Sequence, residues 1–260
     1  MQGLKHGFGK MFYLNGEAYQ GDWEEDQKEG MGEQVYSNGE KYMGEWAGGE
    51  REGEGKLYYR GELMAEGQWM RDSFEEGWVK SKRYEGRWAQ GCFNGIGTYR
   101  FGDGSYYKGQ WLNGEKEGKG LYQYSNGDVY EGEFVRGLKH GSGVYRFNSG
   151  DVYEGEYRND LKYGQGRIRF VNGDEYVGRW ERDDFNGQGK YLFNQEVALE
   201  GEFKAGKLVS RQDPVNQLTQ SVMAMSSLSQ GSPKKPNPYQ STPATPKQNL
   251  SSLINKVSPR

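Results

Sequence analysis

A five-residue motif that recurs along the chain constrains its fold more than any other feature. The motif begins with tyrosine in most copies, carries glycine in third place and ends on an aromatic residue, as in Tyr130-Glu-Gly-Glu-Phe134. Seven of the eight steps between copies are 23 residues, and the copies begin at residues 19, 42, 65, 84, 107, 130, 153, 176 and 199. A period of this length predicts small supersecondary units that stack on their neighbours.

The residues between the motifs predict β-hairpins. Each motif is followed by Gly-x-Gly, an aromatic alternation such as Tyr122-Gln-Tyr124, and a turn dipeptide such as Asn126-Gly127. Asn-Gly favours a type I′ turn, in which both central residues have positive φ. We therefore expect nine hairpins and 18 strands, centred on these turns and running roughly over 7–23, 30–46, 53–69, 76–88, 95–111, 118–134, 141–157, 164–180 and 187–203.

The strand periodicity gives each hairpin two different faces. Tyr130, Gly132 and Phe134 share one face, and Glu131 and Glu133 share the other. Glycine beside a ring leaves room for that ring to lie on the backbone. The predicted fold is all-β, an elongated single-layer antiparallel sheet of about nine hairpins, roughly 80–90 Å long at about 4.8 Å per strand.

Composition agrees with a sheet that has no second layer and divides the chain in two. Only 33% of the residues are hydrophobic, whereas glycine numbers 42, so a two-layer core would lack aliphatic side chains. All seven prolines lie after residue 210. We predict a repeat array over 1–209 with 28 basic and 36 acidic residues, a net charge of −8. Residues 210–260, with six basic residues and one acid, form a +5 tail.

The Ser/Pro-rich tail is expected to be disordered when free, because it cannot bury enough apolar surface. Leu250, Leu253, Ile254 and Val257 fit a helical stripe and predict a short helix that folds on a partner, with chance spacing as the alternative. Ser-Pro and Thr-Pro dipeptides in the tail resemble proline-directed phosphorylation sites.

The sequence contains few residues that could form a catalytic site. His6 and His140 occupy equivalent repeat positions, and Cys92 is the single cysteine, so no nucleophile–base arrangement is expected. The carboxylate pair Glu131 and Glu133 is expected to join cross-strand charge pairs. Gly-x-Gly recurs with no helix pattern after it, which disfavours a nucleotide site. We expect no enzyme activity, no cofactor and no metal.

Three repeats are irregular. The fourth hairpin is four residues short, and the third and ninth carry Glu62 and Glu196 where the others have the turn glycine. The short hairpin predicts a bend or a partner-specific notch, with drift of a tolerant repeat as the alternative.

The repeated positions resemble the MORN (membrane occupation and recognition nexus) family. Its 23-residue motif runs Tyr-x-Gly-x-Trp, a glycine-containing loop, Gly-x-Gly-x-aromatic and Asp/Asn-Gly, and the match covers about residues 3–203. A short chain made almost wholly of such repeats is similar to ciliary members such as radial spoke head proteins. The resemblance implies a cytoplasmic, cytoskeletal protein of a cilium or flagellum axoneme, with other cytoskeletal sites as the alternative.

An uncovered aromatic stripe usually marks an interface. We therefore expect a non-enzymatic scaffold whose aromatic/glycine face binds other proteins of a large assembly, axonemal or otherwise, or a second copy of the chain. The residues expected to contact partners are Trp46, Trp69, Trp78, Trp88, Trp111, Tyr130, Phe134, Tyr153, Tyr157 and Trp180, with Leu250, Leu253, Ile254 and Val257 of the tail.

The alternative function is a membrane adaptor that binds phosphoinositides or other anionic lipids. The array's charge of −8 disfavours it, because anionic lipid attracts clustered Lys and Arg. The same charge argues against nucleic acid as a partner.

Overall fold

The computed structural model describes residues 3–211 as strands and turns. Within that range it contains no helix that could cross a membrane. The strands are β1 Gly7–Phe12, β2 Ala18–Glu24, β3 Gln27–Val35, β4 Glu40–Ala47, β5 Glu50–Tyr59, β6 Glu62–Met70, β7 Ser73–Lys80, β8 Tyr84–Ala89, β9 Cys92–Arg100, β10 Tyr106–Leu112, β11 Glu115–Gln123, β12 Val129–Val135, β13 Leu138–Arg146, β14 Val152–Arg158, β15 Leu161–Arg169, β16 Glu175–Glu181, β17 Asp184–Phe193, β18 Glu196–Lys204 and β19 Lys207–Arg211.

These strands belong to two units. The first comprises residues 3–101 and 110–115, and the second comprises 102–109 and 116–211. In the first unit each strand from β1 to β9 pairs antiparallel with the next. In the second unit the strands from β11 to β19 do the same. The all-β hairpin architecture is confirmed.

Cross-strand register confirms the predicted faces. Tyr130 lies opposite Tyr145 and Gly132 opposite Gly143, whereas Glu131 lies opposite Val144. We call the face that carries the first, third and fifth residues of each motif the ring face, and the opposite one the charged face. The described residues contain 19 strands where nine hairpins predict 18. The additional one, β19, pairs with β18.

The Asn-Gly turns at the centres of the hairpins are not the two-residue turns that the sequence predicted. Gly127 has a φ of 92°, but Asn126 is not among the residues with positive φ. The dipeptide lies in a five-residue loop, where Asn126 Oδ1 accepts a hydrogen bond from the Asp128 backbone N–H at 3.1 Å. The Asn side chain thus makes an Asx turn, and glycine alone supplies the left-handed conformation.

The two-residue turns join successive repeats instead. Asn159 and Asp160 have φ values of 51° and 68°, as a type I′ turn requires. Asn113-Gly114 and Gly48-Gly49 carry a recognised signal for this turn, whereas Glu25-Asp26 and Arg71-Asp72 adopt the same positive φ values without one. Tertiary pairing of the flanking strands imposes the positive φ values.

The two glycines of Gly-x-Gly have different structural roles. Gly141 has a φ of 55° and follows a register shift at Gly132/Glu133 between β12 and β13, so it sits at a β-bulge. Gly143, two residues on, lies opposite Gly132 beneath a tyrosine ring. Gly-x-Gly therefore places its first glycine at a bulge and its second where a tyrosine ring lies close to the backbone.

The helix predicted around Leu250 and the rest of the tail from residue 212 lie outside the described residues. In the short fourth hairpin, β7 and β8 are joined by residues 81–83, and Ser81 Oγ accepts a hydrogen bond from the Tyr84 backbone N–H at 3.0 Å. A serine side chain thus takes the place of the Asn-Gly loop found in the regular repeats.

Candidate binding face

The first tyrosine of each motif lies over a pair of facing glycines. A Cβ added to Gly143 would lie 2.5 Å from Cε2 of Tyr130, and one added to Gly132 would lie 2.5 Å from its Oη. The hydroxyl of Tyr130 donates to the backbone oxygen of Glu133 at 3.0 Å. Glycine is required because the ring occupies the space that any side chain would need.

The rings pack edge to face in a ladder that runs through each unit. In the second unit, Tyr130 contacts Phe134 of its own strand and Tyr157 of the next repeat, each with centroids 5.1 Å apart. Tyr153 continues the pattern with Tyr157 and Trp180 at 5.2 and 5.0 Å. Partners thus lie alternately four and 27 residues away, and such aromatic pairs add stability beyond the area they bury.

The first unit repeats this ladder with tryptophan. Tyr19 contacts Trp23 and Trp46, and Tyr42 contacts Trp46 and Trp69, with centroids 5.0–5.4 Å apart. The indole N–H of Trp46 donates to the Gly32 backbone oxygen at 3.3 Å. These contacts tie each repeat to the next.

Nine of the ten aromatic residues predicted to bind partners are buried in this ladder. They are exposed by 7% or less, and they are Trp46, Trp69, Trp88, Trp111, Tyr130, Phe134, Tyr153, Tyr157 and Trp180. The expectation of an uncovered aromatic stripe is therefore not met, since the rings cover each other and are topped by long side chains. Their role in binding stays a prediction.

Trp78 lies apart from the other nine. It is opposite Glu66 on β6 and Arg87 on β8, whereas its neighbour Val79 is buried at 3% exposure opposite Ala65. Trp78 therefore belongs to the charged face. The irregular spacing of the short repeat puts this tryptophan one residue out of phase with the ladder.

A row of cations tops the ladder and was missed in the sequence. In five repeats, the position nine residues after the start of the motif holds a cation, which is Lys28, Arg51, Lys116, Lys139 or Lys162. Lys139 Nζ lies 5.6, 4.9 and 5.2 Å from the ring centroids of Tyr130, Tyr145 and Tyr157. Lys116 and Lys162 likewise each lie within 6 Å of three ring centroids. These are cation–π distances.

Phenylalanine takes the same position in other repeats. Phe93 stacks on Tyr84 with centroids 3.9 Å apart, and Phe185 stacks on Tyr176 at 3.7 Å. An ammonium, a guanidinium and a benzyl ring therefore occupy equivalent sites between the same two rings. The 23-residue recurrence of Lys or Arg at this place was the signal that could have identified the row.

In the first unit each cation of the row has a polar partner within the chain. Lys5, one repeat before Lys28, pairs with Asp26 at 3.0 Å. Arg51 Nε pairs with Asp72 Oδ1 at 2.9 Å. Lys28 Nζ donates to Gln34 Oε1 at 2.8 Å.

In the second unit, Lys116, Lys139 and Lys162 form no ion pair or side-chain hydrogen bond with any residue of 3–211. Asp160 and Asp183 lie at the positions equivalent to Asp72 and, like it, accept hydrogen bonds from a backbone N–H, here of Lys139 and Lys162, both at 2.9 Å. We call these three residues the lysine row.

Burial changes the titration of these groups. It lowers the pKa of Lys116 from its usual 10.5 to about 8, and it lowers the pKa values of Lys139 and Lys162 as well. The tyrosine hydroxyls shift the other way: burial raises the pKa of Tyr19 from 10 to about 12. Both directions follow from the cost of holding a charge away from water.

On the charged face, Glu131 and Glu133 form none of the ion pairs found within residues 3–211, so the cross-strand pairs predicted for them are not observed, whereas carboxylates of other motifs do pair. Lys56 pairs with Glu66 at 2.8 Å, and Lys190 pairs with Glu200 at 2.9 Å. Glu156, the second carboxylate of its motif, instead accepts the Gln165 backbone N–H at 2.8 Å beside the bulge. These carboxylates therefore stabilise the sheet.

The histidines and the cysteine considered from the sequence for catalytic chemistry lie apart in the fold, with His6 before β1, Cys92 on β9 and His140 on β13. No group of three or more His, Cys, Asp or Glu in that range is placed to hold a metal ion. Cys92 is a free thiol of intermediate exposure, and the buried Nδ1 of His140 has no hydrogen-bond partner there.

Comparison with solved structures gives only distant likenesses. The TCP domain of SAS-4 (dCPAP) from Drosophila melanogaster, in complex with a proline-rich motif of Ana2 (dSTIL), is 12% identical, with 75% of this chain and 90% of that chain covered and a TM-score of 0.29. The TCP10 domain of Danio rerio CPAP, in complex with a STIL peptide, is also 12% identical, with 77% and 97% covered and a TM-score of 0.25. Likenesses this weak carry no argument about function. The sequence matches no curated protein.

The family comparison is decisive by contrast. The model of the MORN repeat matches residues 1–17, 19–41, 42–61, 84–106, 107–129, 130–152, 153–175 and 176–195. It omits 62–83, where Trp78 leaves the ladder, and it covers well over half of the chain. With the tyrosine–glycine packing repeated throughout both units, the protein belongs to the MORN-repeat family.

Proposed function

We propose that this protein is a non-enzymatic scaffold that binds other proteins through the ring face of its repeats. The family assignment supports a repeat scaffold for protein or membrane binding. The observation that carries the proposal is the regular row of rings, each topped by a cation or a phenylalanine at the same place in successive repeats. Such periodic surfaces suit extended partners.

The burial of the rings shapes how a partner would dock. Rings exposed by 7% or less cannot insert into a partner, so contact would run over ring edges and the side chains above them. The nine buried aromatic residues would then act by holding this surface in shape. Trp78 would act from the charged face, and Leu250, Leu253, Ile254 and Val257 would act as a separate element of the 210–260 tail.

We also propose that the scaffold works in a cytoskeletal assembly, with the ciliary or flagellar axoneme as its location. The support is the similarity of a chain made largely of MORN repeats to radial spoke head proteins. Imaging of the tagged protein in ciliated cells of its source tests this. A signal along the axoneme is expected, and a signal confined to the plasma membrane would favour the membrane alternative.

Site-specific photo-crosslinking tests the choice of face. A benzophenone amino acid replaces Phe74 or Phe185, which hold the cation position on the ring face, or Met43 or Val177, which are 40% and 41% exposed on the charged face. Crosslinks to other proteins from the first pair and none from the second are expected. The opposite pattern, or binding to anionic vesicles alone, would refute the proposal.

A further inference from the structure

The lysine row of the second unit is a set of charged groups with unused hydrogen-bonding capacity. Each ammonium has three N–H donors and no acceptor, and each lies within 6 Å of three ring centroids. Cation–π contact holds the charge but does not use the N–H groups. Lys116, Lys139 and Lys162 are of intermediate exposure, so part of each side chain lies at the surface.

The equivalent cations of the first unit show that this condition is particular to the second. Lys5 and Arg51 have aspartate partners, and Lys28 has Gln34. The position of Gln34, six residues after Lys28, is held in the second unit by Tyr122, Tyr145 and Ile168. Rings and an aliphatic side chain therefore replace the internal acceptor.

The three lysines lie at regular intervals. Lys116, Lys139 and Lys162 are the second residues of β11, β13 and β15, which alternate with β12 and β14 in the pairing order. Alternate strands lie about 10 Å apart. A polyproline II segment advances about 9 Å in three residues and presents every third side chain on one side.

We propose that the lysine row binds an acidic, polyproline II-like segment of a partner protein, with carboxylates at every third residue facing successive lysines. This rests on the proposed scaffold function and names the chemistry of its partner. Lysine ammonium and carboxylate form charge-assisted hydrogen bonds, and the ring edges beside each lysine give proline apolar surface to pack on.

Charge decides against other occupants. The chain's own tail carries six basic residues and one acid and so repels the row. A flat anionic membrane would face the −8 charge of the whole array, whereas a narrow peptide contacts the lysines alone. The proposed occupant is therefore an acidic peptide segment.

The test uses the full-length protein and a fluorescent peptide with Glu at every third position and proline elsewhere. Its control peptide carries Gln in place of Glu. Fluorescence anisotropy at physiological ionic strength is expected to show binding of the first peptide and at least about tenfold weaker binding of the second. Equal binding of both peptides, or binding of neither, would overturn the proposal.

Matched variants locate the site. Lys116→Phe, Lys139→Phe and Lys162→Phe are combined, because Phe93 and Phe185 already fill this position by stacking. The charge-matched control combines Lys41→Gln, Lys56→Gln and Lys190→Gln on the charged face. The first triple is expected to weaken binding about tenfold or more, and the second less than about threefold. Equal loss in both would show nonspecific attraction and contradict the site.

A triple Lys→Arg variant, which keeps the charge, is expected to bind the acidic peptide within about threefold of the wild type. Vesicles containing phosphatidylserine or a phosphoinositide form a separate arm. If they bind through the three lysines and the peptide does not, the occupant is lipid and the proposal is wrong. If crosslinking from Phe74 and Phe185 succeeds while the peptide fails, the scaffold stands and only the acidic chemistry falls.

Discussion

The two units of this protein share one packing arrangement and differ in whether the cations above the rings have partners within the chain. Both place a tyrosine over two glycines, and both set a cation or a phenylalanine between successive rings. In the first unit the cations are paired inside the chain, as Arg51 is with Asp72 at 2.9 Å. In the second unit Lys116, Lys139 and Lys162 form no ion pair among the described residues, and each lies close to the faces of three rings.

This difference shows that a repeat can keep its fold while changing its surface chemistry. The ring contacts fix the spacing of the strands, so the cation position tolerates Lys, Arg or Phe. A partnered cation contributes to the stability of the array, whereas an ammonium without an anion leaves its charge to interact outside the chain. Structure is thus common to both units, and binding capacity is expected to concentrate in the second.

Substituting the glycines beneath the rings should lower the free energy of unfolding more than the other substitutions. The loss should be of similar size in both units. Gly143→Ala places a Cβ 2.5 Å from the Tyr130 ring and is expected to cost about 3 kcal/mol. Gly32→Ala, beneath Tyr19, should cost a similar amount. Hydrogen exchange resolved by repeat measures the loss of stability in both variants. Gly102→Ala is the control, because Gly102 has open space around it. If either unit tolerates the alanine beneath its tyrosine, that unit does not depend on tyrosine–glycine packing.

Replacing the cations with phenylalanine should separate the units. Arg51→Phe removes the contacts of Arg51 to the carboxylate and backbone oxygen of Asp72 at 2.9 and 2.8 Å, and we expect a loss of about 1 kcal/mol. Lys139→Phe removes a partly buried charge that lacks an anion, so stability should stay level or rise by up to about 1 kcal/mol. Urea denaturation compares the two variants. A similar loss in both would mean that internal pairing does not distinguish the units.

Alkaline pH should stabilise the second unit before it destabilises both. Lys116 faces Asp160, which favours its charge, and Lys139, which opposes it, but burial dominates and lowers its pKa from 10.5 to about 8. Between these values the unfolded chain binds more protons than the folded one, so stability rises with pH. Above pH 10 the tyrosines reverse the trend, because their pKa values are raised on folding.

The rise between pH 8 and 10 is expected to reach no more than about 1 kcal/mol, because Lys116 keeps some contact with water. Repeat-resolved exchange, corrected for the intrinsic rate at each pH, measures it. Lys116→Phe should abolish the rise around β11. A rise of equal size in that variant would assign the effect to other groups.

Breaking an ion pair of the charged face should lower the free energy of unfolding least, and by the same amount in both units. Lys56→Gln and Lys190→Gln break pairs whose lysines are 48% and 52% exposed, and each should cost less than about 0.5 kcal/mol. Added salt should remove even that, as thermal denaturation can show. A loss above 1 kcal/mol in one unit only would reveal a charge network that the pair distances do not suggest.

Much of the fold could be predicted from the sequence because it depends on short-range periodicities. The 23-residue period, the two-residue alternation and the paired glycines gave the antiparallel hairpins, the two faces and the tyrosine–glycine packing. The turn types were less accessible. Asn126-Gly127 forms an Asx turn within a longer loop, whereas Asn159-Asp160 takes the tight turn, because strand pairing between repeats sets both geometries.

The candidate site was harder to find. The aromatic positions were identified, but their burial was not, since the closing contacts run between residues four and 27 apart in sequence. Trp78 matched the composition of the ladder and yet lies on the charged face, because one out-of-phase step in a strand reverses every side chain. The lysines recur every 23 residues, but in a chain with 34 basic residues their importance shows only once the rings surround them.

By itself, the sequence determined that this protein is a MORN array with one aromatic and one charged face, because alternation and repeat length are local properties of the chain. Only the tertiary structure decided that the rings are buried and that the cations lie above them. It also decided that the second unit leaves three ammonium groups without ion-pair partners among the described residues. Those outcomes depend on contacts between repeats, where packing and desolvation set the balance.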